Sequence, residues 1–128
     1  MKMPQPPARY PRPPANLAPY VEALGTRLAM HLLLELGGAE LPVSARPRPR
    51  GSRLVEVIGL DGARALAARR DDLQPRVPLG NRWLAACLHA EGRSVAEIAR
   101  ILRASDVAVR WWLSGKSLKE GCFDDDAD

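Results

Sequence analysis

The sequence predicts a mainly α protein, with short β-strands in its N-terminal part and a helix-turn-helix at its C-terminal end. Three observations carry that class. Apolar residues recur at three-and-four spacing over most of residues 16–119, the period of an amphipathic helix. Glycines and short polar residues interrupt the stripes where helices stop and start. A helix-Gly-helix pattern also occurs twice: YVEALG, from Tyr20, returns as LVEVIG, from Leu54, thirty-four residues later.

In chain order, residues 1–15 are mostly Pro with Arg, which builds neither helix interior nor sheet ladder, so a disordered Pro-rich tail is expected. Residues 16–79 are expected to hold two helix-helix-strand repeats around a linker at 44–52, SARPRPRGS, which Pro extends and Arg solvates. In the first repeat Pro19 is tolerable only in a first turn, Gly25 interrupts the helix, and a second helix over 26–36 ends at Gly37 and Gly38. AELPV, at 39–43, then reads as a short strand. In the second repeat Gly59 takes the place of Gly25, Asp61 is expected to cap a helix over 62–70, Asp71 and Asp72 replace the glycine pair, and RVPL supplies the strand near Pro78. Pro42 and Pro78 each remove a donor, so both strands belong at edges. Their partner is either the other repeat's strand or the same strand of a second chain.

Residues 80–119 carry three helical stripes: Leu84, Cys87 and Leu88; Val95, Ile98, Ala99 and Leu102; Val109, Trp112 and Leu113. Gly92 suits the end of the first helix. Ser94, with Glu97 three residues on, is a capping box for the second, and Ser105 caps the third. Ala99 falls where two helices cross most closely. Arg103 stands where a helix-turn-helix usually has Gly, so it must accept positive φ or change the turn. Residues 120–128 form an acidic tail.

Charge and cysteine usage narrow the class. Lys and Arg total 19 against 15 Asp and Glu, and within 81–119 the basic residues number seven against three acidic. That local surplus fits a polyanionic partner, because each neutralised phosphate releases condensed counterions. Cys87 and Cys122 make no disulfide framework, and no apolar leader opens the chain, so a cytoplasmic, nucleoid-associated protein is expected. The longest apolar run, 28–36, contains His31 and Glu35 and is too short to span a bilayer. His31 and His89 lack partners at ligand spacing, and no phosphate loop or nucleophile elbow occurs. No catalytic residue, metal, cofactor or small-molecule substrate is expected, and the chain is not read as an enzyme.

IGLDGARALAARR, RVPLGNRW and EGRSVAEIARIL follow in that order, and with them the chain, from Ala18 to about Ser114, resembles the Mor transcription activator family of Mu-like bacteriophages and prophages. The resemblance implies an N-terminal dimerisation part, in which a Gly-Gly turn leads to a strand ending in Pro, and a C-terminal helix-turn-helix that binds a promoter as a dimer. It implies a dimer interface at Leu36, Gly37, Gly38, Leu41 and Pro42, and a DNA-binding part beginning at Asn81 and Arg82. Arg103, the Asp71–Asp72 pair, the Pro-rich head and the acidic tail depart from the family pattern.

The function expected is a sequence-specific DNA-binding transcription regulator of phage or prophage origin, an activator that binds promoter DNA as a homodimer, with host RNA polymerase as a second partner. The helix beginning at Asp106 would enter a major groove. Ser105, Asp106, Val107 and Arg110 are the candidate base readers: Arg110 offers two donors to guanine, Val107 an apolar contact to a thymine methyl, and Asp106 an acceptor to cytosine. Arg93, Ser94, Arg103, Ser114 and Lys116 are the candidate phosphate contacts. Trp111 is the exposed member of its Trp pair. The alternative is a prophage protein-protein interaction module, in which the Leu-rich N-terminal repeat binds a host factor and the C-terminal helices only pack.

Overall fold

The computed structural model describes residues 10–40, 43, 46–50 and 52–114. The Pro-rich head before Tyr10, Leu41, Pro42, Lys116 and the acidic tail lie outside the described residues. The chain is mainly helical: α1 (Ala18–Leu24), α2 (Thr26–Leu36), α3 (Arg53–Ala67), one 3-10 turn (Arg70–Asp72), α4 (Asn81–Ala90), α5 (Val95–Leu102) and α6 (Asp106–Leu113). None of these helices is long and apolar enough to cross a membrane.

The repeat is present in the backbone. Gly25 (φ 83°, ψ 160°) separates α1 from α2, and Gly59 (φ 82°, ψ 165°) kinks α3 with nearly the same angles. A Cβ at either glycine would meet nothing within 4 Å, so the requirement is for positive φ and not for space. One expected cap is corrected. The second half of α3 begins directly after Gly59, which leaves Asp61 inside the helix, and the cap of α3 is Ser52, whose hydroxyl accepts from the Val55 N–H at 3.3 Å. The helix ends at Ala67, short of the expected Arg70.

The expected strands are also corrected. No strand forms among the described residues; the two extended segments meet in a single antiparallel bridge between Glu40 and Arg76. The Gly38 N–H donates to the Val77 carbonyl at 2.7 Å, and the Val77 N–H to the Ala39 carbonyl at 2.9 Å. Pro78 follows at once and has no N–H to continue a ladder, which accounts for a bridge in place of a strand. Of the two partners open to these segments, the described chain uses its own other repeat. Gly37 has φ −55° and Gly38 φ 88°, so only the second needs the left-handed region. Gly37 is needed for close approach instead, since a Cβ there would lie 2.5 Å from the Leu33 carbonyl oxygen.

The closest-packed helix pairs fall into two triads, α1 with α2 and α3, and α4 with α5 and α6. The boundary expected at 79/80 therefore separates helix groups, but it does not separate cores. One buried cluster runs from Leu17, Leu33 and Leu66 through Trp83 and Leu84 to Ile98 and Val109. Gly80 (φ 66°) is the joint: a Cβ there would meet Leu17 Cδ1 at 3.1 Å and Leu33 Cδ1 at 3.2 Å.

A third correction concerns the N-terminus. From Tyr10 the Pro-rich segment is packed and forms a strap on α4. The Trp83 indole Nε1 donates to the Pro11 carbonyl at 3.0 Å, and the Tyr10 hydroxyl donates to Glu91 Oε2 at 2.7 Å. A Pro-rich segment suits this, because its extended form is already restricted and loses little entropy on docking.

Candidate nucleic-acid interface

Two tight connections aim α5 and α6. At the end of α4, Gly92 (φ 93°) lets the Arg93 N–H reach the Leu88 carbonyl at 3.1 Å while its own N–H donates to His89 at 2.9 Å. This is the paired-bond ending that a left-handed residue allows. Ser94 then opens α5 with a full capping box. Its hydroxyl accepts from the Glu97 N–H at 3.1 Å, and its N–H donates to Glu97 Oε1 at 2.9 Å.

α5 ends in the same way, with arginine in place of glycine. Arg103 takes φ 56° and ψ 46°, the Ala104 N–H reaches the Ala99 carbonyl at 2.9 Å, and the Arg103 N–H donates to Arg100 at 3.4 Å. Arg103 thus accepts the positive φ and keeps the turn short. Ser105 follows as cap, its hydroxyl accepting from the Ala108 N–H at 3.0 Å. Only residues 103–105 separate α5 from α6.

Ile98 and Val109 are fully buried and Ala99 nearly so, which puts the inner faces of α5 and α6 against α4. The outer face of α6 has no partner in the described chain: Val107 is 73% exposed and Trp111 47%, with Asp106 and Arg110 exposed beside them. Helical spacing sets Val107, Arg110, Trp111 and Ser114 on one side. The four candidate base readers are brought together on the first turns of α6, although the Ser105 hydroxyl already spends one of its two acceptor lone pairs on the cap. Ser114 Oγ donates to the Trp111 carbonyl at 2.8 Å.

The candidate phosphate contacts are less uniform. Ser94 and Arg103 lie at the two connections. Arg93 has its Nε 3.8 Å from Glu91 Oε1, and Glu91 also accepts from Tyr10, so part of the Arg93 charge is met inside the chain. Burial, then the bond to Glu91, holds the Tyr10 phenol above its ordinary pKa. Arg100, exposed on the last turn of α5 three residues before Arg103, is a basic group that residue patterns alone passed over. Its signal was the spacing itself.

Leu36, Gly37 and Gly38 are not part of this surface. Leu36 is buried in the chain's own core, and Gly37 and Gly38 pack on residues 77–79 of the same chain. Cys87 is fully buried on α4, and burial with the nearby Glu91 pushes its thiol up to about 12, so it is not a thiolate at neutral pH. Among the described residues no group of three or more His, Cys, Asp or Glu is placed to hold a metal ion.

Compared with family models, curated proteins and solved structures, the chain matches none.

Proposed function

We propose that α4, α5 and α6 form a helix-turn-helix that binds double-stranded DNA sequence-specifically, as a homodimeric transcription regulator of the Mor type. The observation that carries the reading is the outer face of α6. A helix whose inner side is locked by Val109 presents Val107, Arg110 and Trp111 outward, directly after a capped three-residue turn. An arginine flanked by exposed apolar groups suits a groove floor, where guanine edges accept hydrogen bonds and thymine methyls accept apolar contact. Arg100 and Arg103 lie just before α6 and suit the phosphates beside that groove. Dimerisation enters because one eight-residue helix reads few bases, and paired half-sites about one helical turn apart supply the rest.

Selection of bound duplexes from a random pool, at moderate salt, tests this. Enrichment of a two-fold repeated motif is expected, and enrichment lost in Arg110→Ala. A selected pool no different from the input would sink the reading. The protein-interaction alternative placed its contact on the Leu-rich N-terminal repeat. There Leu32, Leu33 and Leu36 are consumed by the core and only Leu34, 39% exposed, remains outside on α2, so no observation favours it.

A further inference from the structure

The strap, the connector at 74–80 and the first turns of α4 line an open cleft of about 540 Å3 that the DNA reading does not use. Its walls are largely apolar, formed by Pro11, Pro14, Leu17, Pro78, Leu79 and Trp83. Three arginines, Arg12, Arg76 and Arg82, stand among the lining residues, and none of those residues is acidic.

We propose that this cleft binds an amphipathic organic anion, with a medium-chain alkyl or aryl body against the proline and leucine walls and a carboxylate or sulfonate head toward Arg12 and Arg76. Size is the first argument. Small-molecule pockets run from about 300 to 1,000 Å3, and this one falls inside that range. Hydration is the second. Prolines lack an N–H, and the Trp83 indole N–H is already given to the Pro11 carbonyl, so that wall has few donors for water and suits an apolar body. Leu79 adds to this: it is 44% exposed and lines the cleft, apolar surface that the core leaves uncovered.

Charge is the third argument and fixes the sign of the head group. Arg12 and Arg76 are both exposed, and Arg76 spends one donor on the Gly38 carbonyl at 3.1 Å, leaving the rest of its fork to take a carboxylate. A cationic ligand would meet the like charges of Arg12 and Arg76 and no acidic residue in the lining. The walls come mainly from two stretches distant in sequence, the strap at 11–17 and the connector with the start of α4 at 74–86, so a bound molecule would hold the strap against the connector and α4. This assignment stands on the cleft alone and is independent of DNA binding.

The test is displacement of anilinonaphthalene sulfonate from the full-length chain by octanoate, with octylamine as the same chain carrying the opposite charge. Octanoate is expected to displace the probe at concentrations where octylamine does not. Leu79→Glu puts a carboxylate into the wall and should weaken octanoate by about tenfold or more, with melting unchanged because Leu79 is half exposed. Arg12→Glu, at an exposed position in the lining, should weaken it severalfold and serves alone if Leu79→Glu does not fold. Equal competition by octanoate and octylamine would overturn the proposal, as would undiminished octanoate binding in a folded Leu79→Glu or Arg12→Glu chain.

Discussion

Arg103 is the only non-glycine residue at positive φ in the described chain, and it sits between the helices proposed to bind DNA. A left-handed conformation costs an L-residue about 1–2 kcal/mol, of which the added unfolded-state freedom of glycine returns a part. Arg103→Gly is therefore expected to raise stability by about 0.5–1 kcal/mol in urea unfolding. The same change should weaken binding to all duplexes and lower the log–log salt slope by about one unit, if its guanidinium holds a phosphate. A gain in stability with an unchanged slope would assign Arg103 to the turn alone. Strain at this position is legible from spacing, because helix ends are set by bonds within a few residues. The role of Gly37 is not. Positive φ and close approach both select glycine, and only the fold shows that the Leu33 carbonyl excludes a Cβ. Gly37→Ala should cost about 1–3 kcal/mol as a packing clash, whereas a Gly37→Ala chain as stable as the parent would show that the turn can relax.

At the scale of the elements, α6 divides cleanly between a buried side and an open one. Replacing Arg110 by Ala should cost about 1–3 kcal/mol on the selected motif and leave random duplex nearly unaffected. Arg100→Ala should do the opposite, weakening both kinds of DNA alike, since its place on α5 suits a phosphate and not a base edge. Equal losses on both duplexes from Arg110→Ala would remove it as a reader. The helices that build this face are legible in the residue pattern. Ser94, Ser105 and Gly92 act through bonds spanning three to five residues, so their signals stay local in the chain. The segments at 38–40 and 76–77 are legible only as extended. Their pairing joins positions thirty-six apart, Glu40 with Arg76, and nothing local chooses between the other repeat and a second chain.

For the whole molecule, the strap and the continuous core make the two helix triads interdependent, a consequence that composition hides because a Pro-Arg segment resembles a solvated tail. Alkaline pH should weaken the fold. Cys87 and Tyr10 both have pKa values raised on folding, Cys87 to about 12 from 9.0, so the stability they contribute is complete below the unfolded values and is lost as pH rises through the folded ones. Unfolding free energy should then fall by roughly 1 kcal/mol per pH unit above pH 9, and Cys87→Ala should flatten that slope. The sharper test removes the N-terminal half. In a fragment of residues 74–128, Trp83 loses the Pro11 carbonyl, Glu91 loses Tyr10, and the first turn of α4 at Gly80 loses Leu17 and Leu33, so the buried face of α4 meets water. A three-helix remnant of this size has too little core to replace that surface. The fragment is expected to give a broad, weakly cooperative melt by circular dichroism and to lose both the selected DNA motif and its two-fold preference. A sharply melting, monomeric fragment that bound the motif as tightly as the full chain would show that α4–α6 stand alone, and would leave strap, repeats and dimer without a part in DNA recognition.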